Sequence, residues 1–343
     1  MRETWTGEAT AQRYWLGIPK AAWMLVLATV CWSVSFPLMR ALQLEQAHRL
    51  PDCSSWFFSS CGVAYRFGLA GILLGLWNAW RGRWPTRREW EQGLVLGIWG
   101  SAGMVFQMDG LAYTTASISA FLTQGYVILL PLWTALRRRR WPEPRILLAA
   151  CVVMLGVGIL SRFDPRTFRM GRGELETLAA AVMFAGQILW LNHPRYRGTD
   201  YLGFSSVMFL VMALCGVVSG VWARAPWSAW WQAYAGVFPL LALGVLVGIC
   251  TLGGYLLMNR WQPLVDPSRA GLIYCMEPVF AVSWALFLPG LLSRWVGISY
   301  SNEQVTFRLV VGGLLILSAN AWIEAGGKPQ EKEVSQPAQS ATS

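Results

Sequence analysis

The chain has 343 residues, of which 55% are hydrophobic and only 13% charged, and its mean hydropathy is +0.41. A soluble domain carries about 25% charged residues, so this composition excludes an ordinary water-soluble globule. It indicates a polytopic membrane protein, the more so with 21 Trp, a residue enriched at membrane interfaces. The net charge of +10 is not read as a nucleic-acid signal, because the arginines fall between apolar segments and act as topology signals.

Ten apolar spans of about 20 residues are predicted near 21–41, 57–80, 91–111, 115–136, 145–161, 174–192, 203–222, 232–258, 268–290 and 306–323. Residues 1–20 form a cytoplasmic N-terminal tail, and 324–343, polar and rich in Pro, Ser and Gln, form a disordered cytoplasmic tail. No small-x-small cleavage site follows the first apolar run, so no signal peptide is read. Small residues four apart, at Gly71/Gly75, Gly93/Gly97, Gly216/Gly220 and Gly244/Gly248, let helices approach closely in lipid, although a Gly-rich chain also makes such pairs by chance. With the N-terminus inside, the cytoplasmic segments hold 18 Lys and Arg and the outer segments 7, with Arg40, Arg66 and Arg308 inside spans. That balance places both termini in the cytoplasm. Arg162, Arg166, Arg169 and Arg172, after the fifth span, run against it.

An internal repeat is the next signal. Residues 116–122 resemble 267–273; each opens a span that carries a proline further on, Pro131 and Pro278. A Gly-rich final span then closes each half, at 155–158 and 311–314. Five is odd, so two five-span halves are inverted relative to each other, the arrangement of secondary transporters with cargo at the midplane. The predicted fold is an all-α membrane protein whose ten transmembrane helices form two inverted five-helix repeats, 21–161 and 174–323.

Polar groups within spans are the candidate site. Glu277 lies in an apolar stretch, where a carboxylate costs about 2.5–3.5 kcal/mol at the bilayer centre. Pro278 beside it removes a helix hydrogen bond. Glu277 is read either as a partner for a cargo amine or a proton carrier, or as a structural acid satisfied within the proline kink. Helical spacing sets it on one face with Tyr274, Ala281 and Trp284. Asp109 is a second proton-coupling candidate, or a solvated acid if it faces the interface. Arg66 is read as structural, paired with an acid or snorkelling. Gln107, Gln124 and Gln187 can hydrogen-bond cargo or a neighbouring helix. Trp190 shares a face with Gln187 and Met183. Trp32, Tyr113, Tyr126 and Tyr255 are aromatic candidates for a cavity wall, with lipid-facing or packing roles as the alternative. Pro37, Pro131, Pro239 and Pro278 leave carbonyls without their usual partners, for cargo or simply as static kinks.

Several motifs resemble the drug/metabolite transporter superfamily, specifically the ten-helix EamA-type permeases. Ala28-Thr-Val-Cys-Trp-Ser-Val-Ser-Phe-Pro37 is similar to the family's Trp-Gly-x-x-Phe opening, with Ser33 for Gly, and Ala64-Tyr-Arg-Phe67 to its second-span Arg-Phe. The segment 110–122, Gly173-Glu174, Ser268-Arg-Ala270 and Glu277-Pro-Val279 are similar to later family segments. The resemblance covers roughly 21–323. Many relatives have Gly-Glu after the fourth and ninth spans; 138–141 and 289–292 lack it here.

The resemblance implies a secondary active transporter of the inner (cytoplasmic) membrane. It would export a small organic metabolite such as an amino acid by alternating access, with protons as the driver. Uptake or facilitated exchange is the alternative, and a polytopic membrane enzyme the rival from another class. No enzyme motif is present: there is no Walker loop, His-Glu-x-x-His or Gly-x-Ser-x-Gly. Seven scattered Cys without a Cys-x-x-Cys, and two His in connecting segments, imply no metal and no cofactor. The expected partners are a small-molecule substrate, membrane lipid and protons, with no nucleic acid.

Overall fold

The computed structural model describes residues 14–15, 18–114, 116–139, 141–161, 163–166 and 169–325. The predicted C-terminal tail beyond 325 and most of the N-terminal tail lie outside the described residues. Apart from a two-residue antiparallel ladder, Tyr14–Trp15 with Ile18–Pro19, regular structure among the described residues is helical.

The first half contains α1 (Lys20–Ser33), α2 (Ser35–Arg49), α3 (Ser55–Trp80), α4 (Arg87–Tyr113), α5 (Ala116–Thr123), α6 (Tyr126–Arg138) and α7 (Pro144–Leu160). The second contains α8 (Arg172–Leu191), α9 (Tyr201–Trp222), α10 (Trp227–Gln232), α11 (Val237–Val245), a π-helical stretch over Leu246–Gly253 and α12 (Gly254–Trp261). It continues with α13 (Pro267–Tyr274), α14 (Glu277–Ala285), α15 (Leu288–Val296) and α16 (Phe307–Ala325). Seven helical runs among the described residues are long and apolar enough to cross a membrane. An eighth, Pro267–Ala285 with Leu288–Val296, is bent by 52°, and α7 is a shorter apolar helix.

The helix starts follow local chemistry. Ser54 accepts from the Phe57 N–H, Thr86 and Glu89 form a reciprocal capping box, Asp200 accepts from Gly203 and Asp266 from Ser268. Three of the four prolines named above sit near the start of a helical segment: Pro37 in α2, Pro239 in α11 and Pro278 in α14. A missing N–H costs little there. Pro131 alone lies within a helix. The expected continuous helical face from Tyr274 to Trp284 is therefore broken, because the chain turns at Cys275-Met276 between α13 and α14. The fourth predicted span is likewise broken between α5 and α6, and the first at Val34. His48, expected in a connector, belongs to the last turn of α2.

Exposed apolar side chains such as Ile72, Leu76, Leu214 and Val218 face outward, as lipid requires, while Phe57, Phe67, Phe209 and Met212 fill the interior. The main pairings are α3 on α9, α4 on α8 and α9, α7 on α16, α12, α13 and α14 on α1, and α5 and α6 on α8. Gly156 and Gly312 let α7 and α16 touch backbone to backbone; a Cβ at either would lie under 3.0 Å from the other's carbonyl oxygen. Gly71, Gly93, Gly97, Gly216 and Gly220 also meet a neighbouring helix or side chain closely. Gly244 and Gly248 meet nothing within 4 Å, so that pair is not a packing motif.

Candidate functional site

The helix breaks converge on one cavity of about 110 Å³. Its walls come from α1 and α2 (Trp32, Ser35, Phe36, Met39), α3 (Arg66), α4 (Met104, Gln107), α8 (Phe184, Gln187, Ile188) and α12 (Tyr255, Met258). Four more residues flank the two breaks: Thr123 ends α5 and Tyr126 opens α6, while Tyr274 ends α13 and Glu277 opens α14. Two eight-residue helices thus deliver their last residue and the first residue of the next helix to the same space.

Seven of the residues singled out above meet here: Trp32, Gln107, Tyr126, Gln187, Tyr255, Tyr274 and Glu277. The Trp32 ring stands 5.5 Å from Tyr255 and 5.3 Å from Tyr274, centroid to centroid. Its indole N–H has no acceptor among the described residues. The Glu277 carboxylate forms no hydrogen bond or salt bridge with any described residue, so the reading in which donors of a proline kink satisfy it is not what the geometry shows. Gln107 donates to Thr123 (3.2 Å), and the Gln187 amide meets only the weak acceptor Met208 Sδ at 3.9 Å. The cavity is therefore an aromatic box with one carboxylate and two amides.

Arg66, read as a structural residue, also lines this cavity. It is buried, so it does not snorkel, and no acid among the described residues forms a salt bridge with it. Its Nε donates to Thr251 Oγ1 at 2.6 Å. Thr251 stands in the π-helical stretch and donates in turn to the Leu246 carbonyl, five residues back (2.9 Å). Toward the Lys20–Trp261 contact the floor is closed by a buried polar set. Tyr274 Oη donates to Gln262 Oε1 (2.8 Å), and Gln262 Nε2 donates to Asn192 Oδ1 (2.6 Å) and to the Ile188 carbonyl (2.9 Å).

Gln124 and Trp190 lie off the cavity. Gln124 accepts from the Cys275 thiol (3.1 Å), and Trp190 packs on His193 and Tyr196. Asp109 is off it too and is not solvated. It is fully buried, receives Ser55 Oγ at 2.8 Å and pairs with Arg172 at 2.6 Å. Arg172 also pairs with Glu176 (2.7 Å) and stacks over Tyr113, which is exposed. Two acids thus hold one of the four arginines that ran against the predicted topology.

Residues 19–162 match the EamA-like transporter family. A curated relative described as an uncharacterized transporter, from Archaeoglobus fulgidus, is 24% identical over 261 residues, 75% of this chain and 74% of that protein. The match spans the first half of the chain and, with this relative, supports a place in the drug/metabolite transporter superfamily. A solved crystal structure is similar at a TM-score of 0.57, covering 85% of this chain and 95% of that one, and its 16% identity makes this a likeness of fold alone. Together with the long apolar helices, these likenesses support a multi-pass membrane transporter of a small-molecule substrate.

Proposed function

We propose that this transporter carries a small organic metabolite, such as an amino acid, out of the cytoplasm by alternating access between two inverted five-helix halves, 21–161 and 174–323. The observation that carries the reading is the cavity itself, walled by both halves and floored by paired helix breaks. Counting the broken α5–α6 run and the short α7 as crossings gives ten. Exchange of the halves maps the helix pairings onto themselves. The third crossing on the sixth becomes the eighth on the first, and the fourth on the sixth becomes the ninth on the first. The second-on-seventh and fifth-on-tenth pairings are self-related. This pattern supports the inverted repeat, as does the match of a family model to 19–162. Cargo binds in the aromatic box, and Glu277 exchanges between a cargo amine and a proton as access alternates. The protein resides in the cytoplasmic membrane with both termini inside.

Two results test this reading. Tags at residue 5 and residue 340 are both protected from outside labelling in intact cells; opposite accessibility means an odd number of crossings and ends the inverted-repeat reading. Trp32→Phe removes the unpartnered indole N–H while keeping an aromatic wall, and Gln187→Ala removes an amide that lacks an oxygen acceptor. Each lowers cargo flux by about twofold to tenfold, the worth of one hydrogen bond. The amount of folded protein stays unchanged. Normal flux in both variants removes cargo from this cavity.

A further inference from the structure

Arg66 has the properties of a receptor that lacks its ligand. Only 4% of the residue is exposed, and it stands in the interior of α3. A guanidinium has five N–H donors and no acceptor. Here Nε reaches Thr251 Oγ1 and Nη1 reaches Met39 Sδ at 3.5 Å, both neutral groups and the second a weak acceptor. The Nη2 donors meet no acceptor among the described residues, and no salt bridge joins Arg66 to Glu277. Taking one member of a buried ion pair away is costly because it leaves the other charge uncompensated. The guanidinium is nevertheless held in place by the Thr251 hydroxyl that the π-helical stretch supplies, and the residue lines the cavity.

The position of Arg66 is equally specific. With Met39 and Met104 it borders both the main cavity and a second one of about 20 Å³, which continues past Gln43, Gln46, Phe58 and Tyr234. Glu277 borders only the larger. The larger cavity therefore offers a ligand a guanidinium and a carboxylate, and the smaller one the guanidinium without the carboxylate.

Resting on the transporter reading above, we propose that Arg66 is the cargo's anion receptor and that the cargo carries a free carboxylate, held by the guanidinium at the junction of the two cavities. A planar carboxylate matches the guanidinium fork. A phosphate monoester brings up to two negative charges into a cavity that already holds Glu277, and is disfavoured for that reason. A cationic nitrogen on the same molecule faces Glu277.

The test uses the purified full chain in detergent, titrated calorimetrically with L-alanine, L-threonine and L-phenylalanine, with the methyl ester of each, and with small phosphate monoesters. The same compounds are followed for flux in proteoliposomes. At least one free amino acid binds about tenfold or more tighter than its ester and than the phosphates. In Arg66→Gln the acid and its ester become equal, while Arg66→Lys keeps part of the preference as a point charge without the fork. Esters bound as well as acids by the unaltered protein overturn the proposal whatever the variants do. So does an Arg66→Gln variant that melts earlier yet keeps the acid-to-ester ratio, which makes Arg66 purely structural. A preference for phosphates overturns the carboxylate assignment. Flux without carboxylate preference defeats this proposal alone, whereas absence of both binding and flux across the panel defeats the transporter reading with it.

Discussion

Glu277→Gln abolishes proton-driven flux and leaves the fold intact. The carboxylate has no hydrogen-bond or ion-pair partner among the described residues, so replacing it strands no buried donor. The amide keeps the shape and removes a group that is expensive inside a bilayer, and the melting temperature holds or rises. A charge-assisted contact to a cargo amine is worth about 1.5–3 kcal/mol, and its loss costs about tenfold to 150-fold in affinity. The Gln side chain also cannot titrate, so coupling to the pH gradient disappears even at saturating cargo. Glu277→Ala behaves the same way, since nothing is left unpaired by it. Flux driven by the gradient and detergent melting temperature, measured together on both variants, decide the matter. Full flux in Glu277→Gln with a destabilised Glu277→Ala assigns the residue to architecture.

The second large effect lies at the C-terminal end of α4, where Asp109 meets Arg172. Arg172→Ala leaves Asp109 fully buried with the Ser55 hydroxyl but without its cation, beside Glu176, a neighbouring acid that also loses its cation. Breaking a buried pair by removing one member costs about 3–5 kcal/mol. Arg172 is half exposed, which discounts the loss to about 2–3 kcal/mol. Asp109→Asn restores most of it in the Arg172→Ala background, because the charge that lost its partner is then gone. Melting curves of the two single variants and the double variant give the coupling. Asp109→Asn alone keeps proton-coupled flux, since its carboxylate belongs to this ion pair and lies off the cavity. Additive losses in the double variant contradict the pairing, and loss of coupling in Asp109→Asn moves the proton site away from Glu277.

Most helical segments were legible because lipid demands long apolar runs, and Glu277 because an acid in such a run is costly. The helix breaks were less legible. Pro278 is visible in the chain, but the turn at Cys275-Met276, and the one before Tyr126 where no proline stands, are set by packing against α1 and α8. Treating the fourth span as one continuous helix put Gln124 among the cargo candidates, whereas the break turns it toward Cys275. Met104, Phe184 and Met258 line the cavity yet carry no sequence signal, since an apolar wall and an apolar core use the same residues. Arg66 is visible as a charge within a span, but in sequence it reads equally as a structural residue, paired with an acid or snorkelling. Only the Thr251 contact, made through a π-helical stretch with no sequence mark, separates that role from the one proposed here. The buried setting of Asp109 is hidden for a related reason: its partner Arg172 is 63 residues away in the chain, beyond the reach of any periodicity.

On the proposed function, a small organic molecule passes through the cavity between the two halves. This passage is tested most directly by reconstituting the purified full chain into proteoliposomes, imposing a pH gradient and screening labelled metabolites by class. The expected result is gradient-driven accumulation of a carboxylate-bearing amine, lost in Glu277→Gln and weakened in Trp32→Phe. Folded protein that moves no class of metabolite under either gradient polarity, or that moves one equally well in Glu277→Gln and Trp32→Phe, contradicts it.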